Sequence, residues 1–390
     1  MQGILGNIIG IFFLILSIIW LRFSVDSPLA FQFHFLPALS PSFSGNCTVF
    51  PSGYNHLYPA HQTPGFSFDP KKTSAATLDP RNVADMLGMH IPGLPHQYDY
   101  FNEYGQLLKD PAVQCQQRHG FVYLMRKREV WTWPAVEVGD RLQVESFQWT
   151  GNFVLHNVTT LHARPRVFEV DNFLAQDEID TLKELADEAG YKKTQGEGER
   201  ATLSEWSKIL SRIDLRIADV LRIPSLVIQY HAHLDVIKYG EGEGSSPFHP
   251  FVEKEGEEGE YQHHLVLKRN ILVSIIMQLE EPKAGGATCF PLANEDTPSN
   301  DPKPCDDSDF QVRLKKGSAL VVYNLKSVDN MTGEKDPWAV RQDRVVTEGQ
   351  RLIAVRDIYN KAEPPRAIYL KNMGHVYGYS YNYPVLPGDE

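Results

Sequence analysis

The chain has 390 residues, four cysteines and a formal net charge of −11. That length admits one large domain or two modest ones, and ordinary apolar and charged fractions place it among globular proteins. The acidic balance argues against a nucleic-acid partner, which would want a basic face, and four cysteines are too few for a disulfide scaffold.

Residues 3–21 carry no charge. A helix of that length roughly matches a ~30 Å hydrocarbon core, so 1–22 reads as a signal anchor or, alternatively, a cleaved signal peptide. Arg22 follows the span and nothing basic precedes it except the amino terminus, so orientation is poorly specified. Sequons at Asn46, Asn157 and Asn330 favour a lumenal body in the endoplasmic reticulum or secretory-pathway membrane. Residues 23–80 are rich in Pro, Ser, Phe and Gly without a steady period and read as an irregular stem.

Residues 81–163 read as a small β-rich region of their own. A short helix is expected near 83–87, and strands over 121–125, 129–133, 141–147 and 153–156. Trp131 and Trp133 alternate with polar residues, which is the pattern of one buried sheet face. From 164 the pattern changes. A helix is expected over 176–191, and a clearer one over 204–221, where Ile209, Ile213, Ile217, Val220 and Leu221 recur at spacings of three and four. Ser204 is its expected N-cap. Two amphipathic helices before a run of strands suggest helices packed outside a sheet.

Strands follow over 234–239, 271–279 and 315–323. The run 271–279 is almost wholly apolar and β-branched, as expected of a strand buried on both faces. Gly285-Gly286 permits backbone that a Cβ would forbid. The tract 253–260, acidic and punctuated by Gly, reads as a solvated loop, and 292–310 as a second insertion. Cys289 and Cys305 bracket that insertion, where pairing and free thiols are both open. Residues 363–390 form a tail.

Five blocks in order resemble the prolyl 4-hydroxylases, in particular the transmembrane or secretory type: Arg164 to Phe168 with Asn172-Phe-Leu, 234–242, 269–291, 315–323 and 349–355. The resemblance spans 164–362. It implies an α+β chain built on a double-stranded β-helix (jelly roll) with flanking amphipathic helices, preceded by the small β-rich region and an N-terminal apolar helix. It also implies the family's cofactors, iron(II), 2-oxoglutarate and ascorbate, and an oxidoreductase acting on prolyl residues of procollagen-like chains.

The family's iron sits on a His-x-Asp pair and a distal His. Counting without gaps, those positions fall on Phe248, Pro250 and Arg341. Phe and Pro cannot ligate, and a permanently cationic Arg repels a dication. His233-Leu-Asp235 is itself a His-x-Asp and offers a rearranged metal site, without a matching distal ligand. Arg351 takes the position of the basic residue that anchors 2-oxoglutarate, and an arginine can pair a carboxylate bidentately. Salt bridges from Arg351 and Arg341 to acidic loops are the bland alternative. The expectation is therefore a catalytically impaired dioxygenase-like protein acting by binding Pro-rich or collagen-like peptide, or through a hetero-oligomer with an active relative. An active dioxygenase with a rearranged site and a structural membrane glycoprotein are the alternatives.

Overall fold

The computed structural model of the chain describes residues 46–51, 65–74, 76–89, 97–111, 120–126, 130–135, 137–147, 153–194, 198–203, 207–223, 228, 233–248, 271–299, 301–325 and 335–359. The expected membrane segment, the sequon at Asn330, the loop 253–260 and the tail lie outside them. Among the described residues, no helix is long and apolar enough to cross a membrane.

The first strands are β1 (Cys47–Pro51), β2 (Phe66–Phe68), β3 (Tyr98–Asn102), β4 (Leu107–Leu108) and β5 (Phe121–Arg126), with helix α1 (Pro80–Met86) between β2 and β3. They form one sheet in the order β2-β1-β5-β3-β4. The stem expected over 23–80 is thus partly sheet. Cys47 and Val49 of β1 are buried on alternate positions, and β1 runs parallel to β5 with Thr48 opposite Phe121. That partner is distant in sequence, so no local pattern announces the pairing. The short helix forms where expected, capped by the Asp79 side chain, which accepts from Arg81 N at 2.9 Å.

The rest of the expected 81–163 region divides. Strands β6 (Arg141–Phe147) and β7 (Phe153–Ala163) leave the small sheet and extend the large one. Trp131 and Trp133 lie on no strand. Both are buried and meet edge to face with centroids 6.0 Å apart. Trp133 Nε1 donates to Val220 O and its backbone N–H to the Tyr323 hydroxyl. Arg166, fully buried, donates to Trp133 O and Leu325 O and stacks on the Tyr323 ring. These contacts join the connecting segment to the large sheet, and all of it lies in one unit, Phe43–Glu390.

The remaining elements are β8 (Arg166–Val170), α2 (Gln176–Ala189), β9 (Lys192–Lys193), β10 (Glu199–Leu203), α3 (Lys208–Leu221), β11 (Leu234–Tyr239), β12 (Ile271–Glu280), β13 (Ala284–Gly285), β14 (Thr288–Phe290), β15 (Phe310–Val312), β16 (Ala319–Tyr323), β17 (Gln342–Asp343), β18 (Val346–Glu348) and β19 (Arg351–Tyr359). Among the described residues the large sheet has the order β6-β7-β8-β16-β12-β19-β11-β10-β9. A small sheet β15-β14-β17 covers one face of it, and the segment through Ser245 and Phe248 pairs with β17 and Arg341. Going along the chain, β11 is in the large sheet, Ser245–Phe248 beside the small one, β12 in the large, β14 and β15 in the small, β16 in the large, β17 in the small and β19 in the large. That alternation between two facing layers is a jelly-roll arrangement.

The central strand β12 is buried from Leu272 to Leu279, as its apolar run predicts. Its Leu272, Ile275, Met277 and Leu279 face the helices, while Ile276 packs into the jelly-roll interior with Ile237, Leu320, Val322 and Ile353. Helix α3 covers the outer face with Ile209, Ile213, Ile217, Val220 and Leu221, each worth about 1.5–3 kcal/mol of burial. It begins later than expected: Ser207, not Ser204, is the N-cap and accepts from Leu210 N at 3.2 Å.

A buried ion pair fixes α3 to β19. Arg356 donates to Asp214 Oδ2 at 2.9 Å and to Ile228 O. Burial pushes the Asp214 carboxyl up from 3.8 to about 6, against the pull of Arg356. The folded state then holds this proton more tightly than the unfolded chain, so the group's contribution to stability falls as pH rises from 3.8 to about 6. Urea titrations of wild type across that window should show this loss, roughly 3 kcal/mol. Asp214→Asn should flatten the slope; an unchanged slope would assign it to another group.

Candidate cofactor and cosubstrate site

The interior of the jelly roll is apolar at its waist and polar toward both ends. On β11 the side chains of Ile237 and Tyr239 face inward, and period-two alternation puts Asp235 on the same face. On β19 the inward positions are Arg351, Ile353 and Val355, continuing to Asp357. Tyr239 stands directly opposite Arg351 in the ladder.

Arg351, the expected 2-oxoglutarate anchor, is 1% exposed and fully engaged by the chain's own side chains. Its Nη1 donates to Asp343 Oδ1 at 2.6 Å, its Nη2 to Thr288 Oγ1 at 2.7 Å, and its Nε reaches Gln278 Oε1 at 3.4 Å. The same Asp343 carboxylate accepts from the Thr288 hydroxyl at 2.9 Å and from the Tyr239 hydroxyl at 3.0 Å. Asp343 is held in place by backbone as well: its N–H donates to Ser245 Oγ and its carbonyl accepts from Ser245 N, both at 2.8 Å. Burial alone would raise the Asp343 carboxyl. The charge and hydrogen bond of Arg351, with help from Arg341 and Thr288, outweigh it and hold the carboxyl below its ordinary value.

The double glycine makes room for this arrangement. Gly285 and Gly286 both have positive φ, and a Cβ on Gly286 would lie 2.9 Å from Pro282 and 3.2 Å from Arg351 Cδ. Any larger residue would push on the guanidinium stem.

Two of the three expected iron-ligand positions are described, and they meet each other. Phe248 and Arg341 form an antiparallel bridge with reciprocal backbone hydrogen bonds of 2.9 and 3.0 Å. The Arg341 guanidinium carbon sits 5.1 Å from the centroid of the Phe248 ring, a cation–π contact. Pro250 lies outside the described residues. Arg341 is 3% exposed, and its Nη1 has no hydrogen-bond partner among the described residues. Its charge acts on Asp343 to one side and Asp357 to the other. Burial raises the Asp357 carboxyl, partly offset by Arg341 and by the hydrogen bond from Ser274. Asn324 donates to that same Ser274 hydroxyl.

The alternative pair is committed elsewhere. His233 is exposed. The Asp235 carboxylate accepts from Thr202 Oγ1 at 2.7 Å and pairs with Arg200 at 3.4 Å. Among the described residues, Cys289, Cys305 and Asp309 come close enough to suggest a metal cluster. Cys289 and Cys305 form a disulfide, which settles the pairing the sequence leaves open and removes both sulfurs as thiolate ligands. An aromatic ring with a guanidinium over it offers a dication no donor, and Arg351 already holds a carboxylate. Among the described residues, Phe248 and Arg341 offer iron(II) no ligand, and Arg351 is already paired where 2-oxoglutarate would bind.

Sequence reasoning finds Arg351, Arg341 and Phe248 but misses Asp343, Thr288, Tyr239 and Gln278. The available signal is the spacing Arg341-Gln-Asp343, which on a strand points a cation and an anion the same way, with Arg351 two strands later.

No family model matches the chain, and no curated protein matches it. Solved structures do. A collagen prolyl hydroxylase of Paramecium bursaria Chlorella virus-1, in complex with 2OG, is 18% identical, with 50% of this chain and 95% of that one covered at a TM-score of 0.38. A prolyl-4-hydroxylase of Pseudomonas putida is 12% identical, with 49% and 91% covered at 0.30. A 2OG-Fe(II) oxygenase family oxidoreductase of Burkholderia pseudomallei is 10% identical, with 50% and 86% covered at 0.32.

Arg351→Ala strands Asp343 as a buried, unpaired carboxylate, which costs about 3–5 kcal/mol. Urea denaturation at neutral pH should read that loss. The unpaired carboxyl would take up a proton in mild acid, so the loss should shrink as pH falls. A loss independent of pH would show that Asp343 is not the group left behind.

Proposed function

We propose that the chain is a prolyl 4-hydroxylase-like jelly-roll protein of the secretory pathway that no longer performs iron-dependent catalysis. It acts instead by binding, either a Pro-rich or collagen-like peptide or an active relative. The observation that carries the loss of catalysis is the Phe248–Arg341 contact. Two of the three positions that should hold iron are adjacent in space and filled by a ring and a fixed positive charge. Coulomb repulsion and the missing lone pairs act together against a dication there.

The Cys289–Cys305 disulfide supports an oxidising compartment. So do the uncharged run 3–21 and the sequons at Asn46 and Asn157. Asn46 is exposed at the start of β1, and Asn157 is half-buried on β7. The binding role rests on the resemblance of residues 164–362 to a family whose substrates are proline-rich chains. Fold likeness alone does not fix a function, so the metal chemistry is the place to test it.

Calorimetry on the full chain with iron(II) or manganese(II), with and without 2-oxoglutarate, should give no binding heat. Micromolar metal binding abolished in His233→Ala and Asp235→Ala would revive the enzyme at the rearranged site.

A further inference from the structure

The arrangement around Asp343 is that of a carboxylate receptor with its ligand bound. One oxygen takes a guanidinium N–H and a hydroxyl, the other a phenol O–H. All the donors are supplied by elements other than β17: Tyr239 by β11, Thr288 by β14 and Arg351 by β19. Arg351 is also held independently of Asp343. Arg351 is bonded to Thr288 and oriented toward Gln278, and its stem lies along Gly286. The guanidinium is therefore preorganised, and only the carboxylate comes from β17.

We infer that this is a self-occupied carboxylate site, in which the Asp343 side chain takes the place of a small carboxylate ligand. This deepens the proposed function, on which its relation to 2-oxoglutarate rests; the receptor geometry stands on the side chains alone. Removing the Asp343 carboxyl leaves a dry space of about that group's size, facing a buried guanidinium and two hydroxyls. A free monocarboxylate of that size relieves the unpaired charge, because a buried cation without a partner is far costlier than a paired one. The ligand class is formate or acetate. Longer dicarboxylates such as 2-oxoglutarate require more room than one side chain vacates.

The test is chemical rescue in the full chain. Asp343→Ala is melted, and refolded from urea, in formate, acetate, 2-oxoglutarate or chloride at equal ionic strength. Formate and acetate should raise its Tm saturably, by roughly 3–5 °C at a hundredfold excess over Kd, and raise its refolding yield over chloride. Wild type, Asp343→Asn and Asp343→Ala/Arg351→Met should not respond. A folded Asp343→Ala that responds to carboxylates no more than wild type overturns the inference. So does an Asp343→Ala that stays unfolded in every salt while Asp343→Ala/Arg351→Met folds in chloride. Manganese binding by wild type would overturn the proposed function instead, and leaves the rescue result to be read by itself.

Discussion

A buried arginine inside a β-sandwich needs an anion, and the choice of anion decides what the interior can do. Arg351 sits on the inner face of β19, almost without solvent contact. Its charge cannot be left bare there. In a chain with an open cosubstrate site, a ligand would meet that need. Here Asp343, on the facing small sheet and eight positions back in sequence, meets it. Tyr239, Thr288 and Gln278, which face the same space, turn toward the pair. The Arg351 guanidinium is thus satisfied within the chain itself.

The same logic runs along the axis. Arg341 is a second buried cation, whose charge favours ionisation of both Asp343 and Asp357 and which lies against the Phe248 ring. Cations and carboxylates alternate through the polar part of the interior. Such a network is stable only if complete, since each member removed strands another. The Phe248 ring, Arg341 and Asp343 lie together in this part of the interior.

Much of the frame was legible in the sequence. The nine-residue apolar run around Ile275 predicts a central strand covered on both faces, and β12 is one. The three-and-four spacing of Ile209, Ile213 and Ile217 predicts the helix that covers it. Gly285-Gly286 marks a close approach, and the neighbours prove to be the Val345–Thr347 backbone, Pro282 and the Arg351 stem. What escaped is non-local. The pairings of β1 with β5 and of β8 with β16, the latter bringing the β6-β7-β8 meander into the large sheet, depend on partners no window contains. The helix cap slipped by one turn because Ser204 and Ser207 are equally good caps in isolation. Asp343 escaped for a different reason. In the string Arg341-Gln-Asp-Arg344 it looks like surface charge, and nothing local says that its strand lines an interior. Salt bridges to acidic loops were the bland expectation for both arginines; the partner of Arg351 is a strand residue in the core.

The central claim is that the chain's own side chains occupy the positions of metal and cosubstrate. Crystals grown with manganese(II) and 2-oxoglutarate, measured at the manganese absorption edge, test it most directly. The predicted result is no anomalous peak beside Phe248 and Arg341, with Arg351 still paired to Asp343. A manganese peak there, with 2-oxoglutarate on Arg351 and Asp343 turned away, would contradict it.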